Sequence, residues 1–196
     1  MAEIKAFKGM RYNPEKGGGL NSLVCPPYDI ISDEQRADYI EKNPCNIIRL
    51  ELPQGGDERY REAGETLTKW LDENVLAQDK NDSIYVYEMD FTANGVKNSL
   101  KGFVSLVKLE EFSKGIILPH EETLSKAKQD RFNLMSETFC NFSQIYSLYM
   151  DENNSIYSLV DGCSQGEPDM SVTDSDGTVH KMWCVSDSGV IAKGYL

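Results

Sequence analysis

The chain has 196 residues, 40% of them hydrophobic, so it is long and apolar enough to bury a core. Its 32 acidic residues outnumber 20 lysines and arginines. The resulting formal net charge of −12 disfavours non-specific binding to nucleic acids or to anionic membrane surfaces. Its cysteines are widely spaced without a C-x-x-C pair, and no apolar run resembles a signal or a membrane span. We therefore expect a reduced, cytoplasmic protein.

The first part of the chain is predicted to mix strands with helices. Residues 4–12 have the composition of a strand. Ser32 and Gln35 have the spacing of a capping box, which predicts that a helix begins at Ser32. Residues 46–52 are mostly apolar and partly β-branched, which predicts a second strand, and helical periodicity predicts a helix over 57–76. The apolar face of this helix consists of Tyr60, Ala63, Leu67, Trp70 and Leu71.

Two β-hairpins are predicted in the middle and at the end of the chain. Residues 83–91 and 97–110 are rich in β-forming side chains and are separated by an Asn-Gly pair at 94–95, a frequent hairpin turn. Residues 170–173 and 178–185 repeat this arrangement around a second turn that contains glycine. Both patterns predict antiparallel strand pairs.

The segments between the hairpins complete the prediction of fold class. A helix is expected from about 123 to 139, a strand over 145–149 and a short helix over 153–163. Hairpins mixed with helices are typical of an α+β fold, here a mixed or antiparallel sheet flanked by about three helices. We expect 1–196 to be a single domain or the N-terminal portion of a longer two-part protein, and a sub-boundary near 150–168 is an alternative.

The densest group of ionisable side chains lies in residues 119–131, where an apolar run gives way to the predicted helix. Free backbone N–H groups at such junctions suit anionic ligands. His120 could act as an acid, a base or a phosphate ligand, and Glu121 as a base or a metal ligand. Lys128 and Arg131 are three residues apart and would share a helix face that could hold a di-anion. A solvated, amphipathic helix start explains the same residues, and the pattern alone does not decide between the two.

Further candidates lie outside this segment. The two prolines of Pro26-Pro27-Tyr28-Asp29 stiffen the backbone, so this loop could fix Asp29 in a cleft with Tyr28 as a wall. A tight turn before a helix explains the loop equally simply. Arg11 could reach a phosphate or be a surface charge, and Asn141 could be a ligand or a helix cap.

Four separated motifs resemble, in order and spacing, the domain-of-unknown-function family 1015 over most of the chain. These motifs are Phe7–Tyr12, Val24–Ile31, Leu118–Glu121 with Thr123, Lys128, Asp130 and Arg131, and Asn141–Ser143 with Ile145. The family is distantly similar to the ParB and sulfiredoxin-like superfamily, some members of which are kinases of free L-serine that use ADP or pyrophosphate. The resemblance therefore implies ParB-like elements in the fold and phosphoryl transfer to a small hydroxy amino acid.

The implied reaction assigns roles to the candidates, because phosphoryl transfer needs positioning and neutralisation of charge. Asp29 or Glu121 would take the proton of the serine hydroxyl, and His120 would act beside them. Mg²⁺ would accompany a pyrophosphate or ADP donor, with Glu121 or Asp130 as a ligand, although Asp130 could instead pair with Lys126 on the helix. The candidates for binding the phosphates and the substrate are Lys128, Arg131, Arg11, Tyr28 and Asn141.

The chain departs from the family pattern at its end. Longer members carry a further motif, similar to Ala-Asp-Gly-His-His-Arg-Tyr, in a second half that has no counterpart here. This departure predicts an N-terminal fragment or a shortened paralogue that is inactive alone if the second half binds the donor. The alternative is a non-catalytic module that binds a small ligand, with a homodimer covering any exposed edge. We expect small-molecule partners, and the negative charge argues against a ParB-like role on DNA.

Overall fold

The computed structural model describes residues 2–120 and 122–193, and it confirms the predicted α+β fold class. Contacts within the chain divide it into two units, each made of separate stretches of sequence. The sheet unit consists of Met1–Gly9, Gln78–Pro119 and Tyr146–Leu196. The helical unit consists of Met10–Ala77 and His120–Ile145.

The secondary structure alternates between short strands and helices along the chain. The helices are α1 (Leu20–Leu23), α2 (Asp33–Lys42), α3 (Ile48–Glu51), α4 (Arg59–Asp72), α5 (Ser125–Thr138), α6 (Ser155–Cys163) and α7 (Ser188–Lys193), with 3-10 turns at Tyr28–Ile30 and Phe112–Lys114. The strands are β1 (Ile4–Lys5), β2 (Met10–Tyr12), β3 (Leu76–Gln78), β4 (Ile84–Ala93), β5 (Val96–Val104), β6 (Leu106–Val107), β7 (Met170–Thr173) and β8 (Val179–Val185). In the part of the chain that is described, no helix combines the length and the apolar character needed to cross a membrane.

Helices α4 and α5 form the core of the helical unit and confirm the helices predicted over 57–76 and 123–139. Gly64 allows them to pack closely, because a Cβ atom at Gly64 would lie 3.2 Å from the carbonyl oxygen of Glu137 on α5. Trp70 extends the buried face of α4 and packs beside Tyr12, with the centres of the two rings 6.3 Å apart. The cluster shared by the two helices consists of Tyr60, Ala63, Leu134 and Phe142.

Helix α2 begins as the capping box predicts. The N–H of Gln35 donates to Ser32 Oγ at 3.2 Å, and the N–H of Ser32 donates to Gln35 Oε1 at 2.9 Å. The two bonds satisfy N–H groups that the first turn of a helix leaves without partners. The local sequence therefore determines where this helix starts.

The strand predicted over 46–52 is wrong, because the segment forms helix α3. Asn46 explains the difference, since its fully buried side chain satisfies three backbone groups. Its Oδ1 accepts from the N–H of Ile48 at 3.0 Å, and its Nδ2 donates to the carbonyl oxygens of Ser22 and Val24, each at 2.9 Å. Hydrogen bonds of this kind turn the chain locally and override the β preference of the neighbouring isoleucines.

The sheet unit contains an antiparallel sheet of order β5-β4-β8-β7, which confirms both predicted hairpins. Asn94 and Gly95 both have positive φ angles, 52° and 76°, as a tight two-residue turn requires. Helix α6, predicted over 153–163, covers one face of this sheet, where Val160 packs against Val86 and Trp183. The N-terminal strand β1 is not part of this sheet, because it pairs with β6.

Two other predicted strands differ from the structure. Residues 4–12 form two separate strands, because β1 pairs with β6 whereas β2 pairs with β3. Gly9 lies at the break, where its N–H donates to the Tyr85 hydroxyl at 2.6 Å. A side chain would not fit at this position, because a Cβ atom at Gly9 would lie 2.5 Å from the Tyr85 hydroxyl oxygen. The strand predicted over 145–149 is wrong: this segment has no regular secondary structure, and no β pairing is recorded for it among the described residues.

Candidate functional site

The helical unit contains a buried carboxylate at the C-terminal end of α3. Glu51 is only 5% exposed, and burial raises the pKa of its carboxyl group above the ordinary range. The positive charge of Arg131 opposes this shift, and the negative charge of Asp29 adds to it. The same environment raises the pKa of the Cys25 thiol to about 12, chiefly through burial and then through the charge of Glu51. Glu51 therefore holds a proton more readily than an exposed glutamate.

The carboxylate of Glu51 accepts a hydrogen bond from the hydroxyl of Ser143. Ser143 follows α5, which is capped at its C-terminal end by Phe139 in a left-handed conformation with φ of 54°. Ser143 is exposed to solvent, whereas Glu51 is buried. The pair therefore links a buried carboxylate to the hydroxyl of an exposed residue.

Arg131, on α5, holds the surroundings of Glu51 in place. Its Nη1 donates to the backbone carbonyl oxygen of Glu51 at 2.8 Å, and its guanidinium lies over the ring of Tyr28 at 4.0 Å from the ring centre. Such stacking favours a planar cation over an aromatic face. The loop that carries Tyr28 and Asp29 is thereby fixed to α3 and α5.

Asp130 connects Arg131 to a second arginine. Its Oδ2 accepts from Nε and Nη2 of Arg131 at 3.0 and 2.5 Å, and its Oδ1 accepts from the Tyr60 hydroxyl at 2.8 Å and from Arg59 at 3.2 Å. Burial alone would raise the pKa of the Asp130 carboxyl, but the hydrogen bonds from Arg131, Tyr60 and Arg59 outweigh it and lower the pKa. Asp130 is therefore an ionised anchor for two guanidinium groups.

The structure brings several sequence candidates together and leaves others apart. Tyr28, Asp29, Asp130 and Arg131 all belong to the cluster around Glu51. Arg11 is half-buried in β2. Glu121, the first candidate for a base, lies outside the described residues. The remaining candidates are exposed and make none of the contacts described above; they are His120, Lys128 and Asn141.

Sequence reasoning missed the two residues at the centre of the cluster. Glu51 lies within the segment predicted as a strand, and Ser143 is not among the predicted site residues although it closes the Asn-Phe-Ser motif. A signal for Glu51 existed, because an acidic residue between Leu50 and Leu52 interrupts an apolar run. Acids are rarely fully buried unless they have a partner or a function, so such an interruption is informative.

Comparison with known proteins supports the resemblance noted in the sequence. Residues 4–194 match the model of the family described as Protein of unknown function (DUF1015). The chain belongs to this family. No curated protein and no solved structure matches the chain significantly. The DUF1015 match therefore covers both units, including every residue of the Glu51 cluster.

Proposed function

We propose that this DUF1015 chain supports the transfer of a phosphoryl group to a small hydroxy amino acid, free L-serine. The observation that carries the proposal is the buried carboxylate of Glu51, which accepts a hydrogen bond from the hydroxyl of Ser143, a residue of the chain itself. A base for this reaction must lie within hydrogen-bonding distance of a hydroxyl and must accept its proton readily. Glu51 meets both conditions. The distant similarity to ParB and sulfiredoxin-like kinases is part of the same proposal.

The neighbours of Glu51 suit the two ends of the reaction. The guanidinium of Arg131 provides positive charge beside the base, as a transferring phosphoryl group requires. Asp29 provides an exposed carboxylate that could bind the ammonium group of an amino acid. Lys128, one turn before Arg131 on α5, adds an exposed cation for the donor. In the reaction a hydroxyl oxygen attacks the terminal phosphorus, its proton passes to Glu51, and the bond from phosphorus to the leaving phosphate breaks.

The donor in this proposal is pyrophosphate or ADP, and Mg²⁺ enters with it as part of the substrate. Asp130 does not fit the alternative role of a resident magnesium ligand, because three neighbouring side chains already donate to its two oxygens. Among the described residues there is no group of three His, Cys, Asp or Glu side chains that could hold a metal ion. Chelation of Mg²⁺ should therefore stop turnover without lowering the stability of the protein.

A second candidate function is a non-catalytic module that binds a small ligand. It is favoured by one observation: all three nitrogens of the Arg131 guanidinium already donate to Asp130 or to the backbone of Glu51. An arginine in this state stabilises a loop and needs to exchange partners before it can hold a phosphate. The two candidates therefore make different predictions for Glu51, which only the enzyme needs as a base.

The deciding experiment measures O-phosphoserine formation from L-serine, Mg²⁺ and pyrophosphate, ADP or ATP. Glu51→Gln should abolish product formation, whereas Glu41→Gln, which changes an exposed glutamate on α2, should not. A longer member of the family, assayed in parallel, shows whether further sequence is needed for the donor. No product from either protein, together with L-serine binding that is unchanged in Glu51→Gln by calorimetry, would establish the binding module instead.

A further inference from the structure

The hydroxyl of Ser143 has the surroundings of a nucleophile. It donates to Glu51 Oε1, so its proton already faces a base, while the residue itself is open to solvent. Serine is a weak nucleophile until a neighbouring base takes its proton. Because the residue that carries this hydroxyl is exposed, a phosphoryl donor can approach it from solvent.

The base of this pair is held firmly. The N–H of Glu51 donates to the carbonyl oxygen of Ile47 at 3.0 Å, and the carbonyl oxygen of Glu51 accepts from Arg131 at 2.8 Å. Among the described residues, the two neighbouring arginines, Arg59 and Arg131, form their ion pairs with Asp130 and not with the carboxylate of Glu51. A nucleophile, a base and a group that orients the base are the three parts of an activated serine site.

Arg131 can stabilise the negative charge that a phosphoryl group on Ser143 would bring. Its guanidinium interacts with the charge of Glu51, the hydrogen-bond partner of Ser143. If Arg131 turned from Asp130 towards this phosphoryl group, Asp130 would keep hydrogen bonds from Tyr60 and Arg59. The exchange would therefore leave no buried charge without a partner, which is the usual cost of such a movement.

We propose that Ser143 is phosphorylated as a covalent intermediate and passes its phosphoryl group to the acceptor hydroxyl. This inference rests on the proposed phosphoryl transfer. In the first half, Ser143 Oγ bonds to the terminal phosphorus of the donor and the bond from this phosphorus to the bridging oxygen breaks. The leaving group is phosphate when the donor is pyrophosphate and a nucleoside monophosphate when it is a nucleoside diphosphate, and Glu51 passes the serine proton to it. In the second half, the acceptor oxygen bonds to phosphorus, the Ser143 Oγ–P bond breaks, and Glu51 moves the acceptor's proton to Ser143.

The test is to trap the phosphorylated protein in the absence of L-serine. The chain is incubated with Mg²⁺ and pyrophosphate, ADP or ATP, and intact mass spectrometry should show the mass of one added phosphoryl group. Peptide fragmentation should place this group on Ser143. Adding L-serine to the isolated phosphoprotein should release the group as O-phosphoserine.

Two variants make the test specific. Ser143→Ala should remove both the labelling and the turnover, whereas Ser136→Ala should change neither. Ser136 is an exposed serine on α5 whose hydroxyl donates to the carbonyl oxygen of Phe132, so it is a matched control. Full turnover by Ser143→Ala would overturn the intermediate and leave the proposed function standing, as transfer would then be direct. Phosphate on any other residue would also overturn it, and absence of both labelling and product would remove the proposed function together with the intermediate.

Discussion

Each unit contains a glutamate with little exposure to solvent, 5% for Glu51 and 13% for the Glu88 side chain, and the surroundings of the two differ in charge. In the sheet unit, Glu88 on β4 forms ion pairs with Lys101 at 2.8 Å and Lys181 at 3.0 Å. Hydrogen bonds from these lysines lower the pKa of its carboxyl group, although burial opposes them. The two lysines therefore favour the ionised form of Glu88, and Asp90 and Asp161 complete the pairing of the two lysines.

In the helical unit, Glu51 is buried without such compensation. Its carboxylate has the hydroxyl of Ser143 as its hydrogen-bond donor, and burial raises its pKa. Leaving a buried carboxylate without a direct ion pair destabilises the folded state, and such an arrangement is common where an acid takes part in chemistry. The comparison teaches that burial alone does not identify a functional acid; the functional candidate is the one whose charge has not been neutralised.

The largest expected effect is on turnover and separates the two glutamates. Glu51→Gln should lower kcat by about a thousandfold, because general base catalysis typically contributes about 10² to 10⁴ in rate. Glu88→Gln should leave kcat within about twofold, measured as O-phosphoserine formation, since it removes a charge that only the lysines use. An equal loss of activity in both variants would show that Glu51 acts through folding alone.

For the free energy of unfolding, in contrast to turnover, we expect Glu88→Gln to have a larger effect than Glu51→Gln. Glu88→Gln should lower the free energy of unfolding by roughly 3 kcal/mol, because it leaves Lys181 and the 11% exposed Lys101 short of a partner. Glu51→Gln should change it by less than about 1 kcal/mol, since an amide oxygen can still accept from Ser143. Urea denaturation measures both values, and a larger loss for Glu51→Gln would contradict the comparison.

Substitution of Asp130 should have an effect on stability between those of Glu88→Gln and Glu51→Gln. Asp130→Asn should lower the free energy of unfolding by about 2 kcal/mol, because Arg59 and Arg131 then lose their shared anion while remaining partly open to water. The measurement is chemical denaturation of Asp130→Asn beside Asp33→Asn, which changes an exposed acid on α2. Equal stability of the two variants would show that water replaces the arginine pairs without cost.

The stacking of Arg131 on Tyr28 should contribute a smaller amount. Tyr28→Leu should lower the free energy of unfolding by about 0.5 to 1 kcal/mol, whereas Tyr28→Phe, which keeps the aromatic face, should be close to the parent. Both are measured by thermal unfolding. A loss of the same size in Tyr28→Phe would assign the effect to the hydroxyl group instead.

The pH dependence of stability should have opposite slopes for the two kinds of acid. The raised pKa of Glu51 means that the folded protein binds more protons than the unfolded chain above pH about 4.3, so this contribution is lost as pH rises through the folded pKa. The lowered pKa values of Glu88 and Asp130 give contributions that are lost as pH falls through theirs. The free energy of unfolding of the parent and of Glu51→Gln is measured by denaturation at a series of pH values. The slope of this free energy against pH should differ between the two proteins only above pH about 4.3. Identical slopes there would show that Glu51 does not carry a raised pKa.

Much of the local structure follows from the sequence alone. The capping box at Ser32 and Gln35, the Asn94-Gly95 turn and the apolar face of α4 are local signals, and the structure confirms them except at Leu71, which belongs to the predicted face but is 37% exposed. Turn and cap residues act through hydrogen bonds and φ angles within a few positions, so a single sequence contains what is needed to recognise them. The four family motifs likewise depended only on order and spacing, and the DUF1015 match confirms the family.

Tertiary structure decided the rest. Whether 46–52 is strand or helix depended on bonds from Asn46 to Ser22 and Val24, which are more than twenty positions away. The pairing of Glu51 with Ser143 joins residues 92 positions apart, so no local pattern could reveal it. Even the difference between Glu51 and Glu88 is tertiary, because the pKa of a buried acid depends on which charges and donors the fold brings to it. The sequence by itself determined the family, the hairpins and the start of α2, whereas the fold alone decided which glutamate is buried beside the hydroxyl of Ser143.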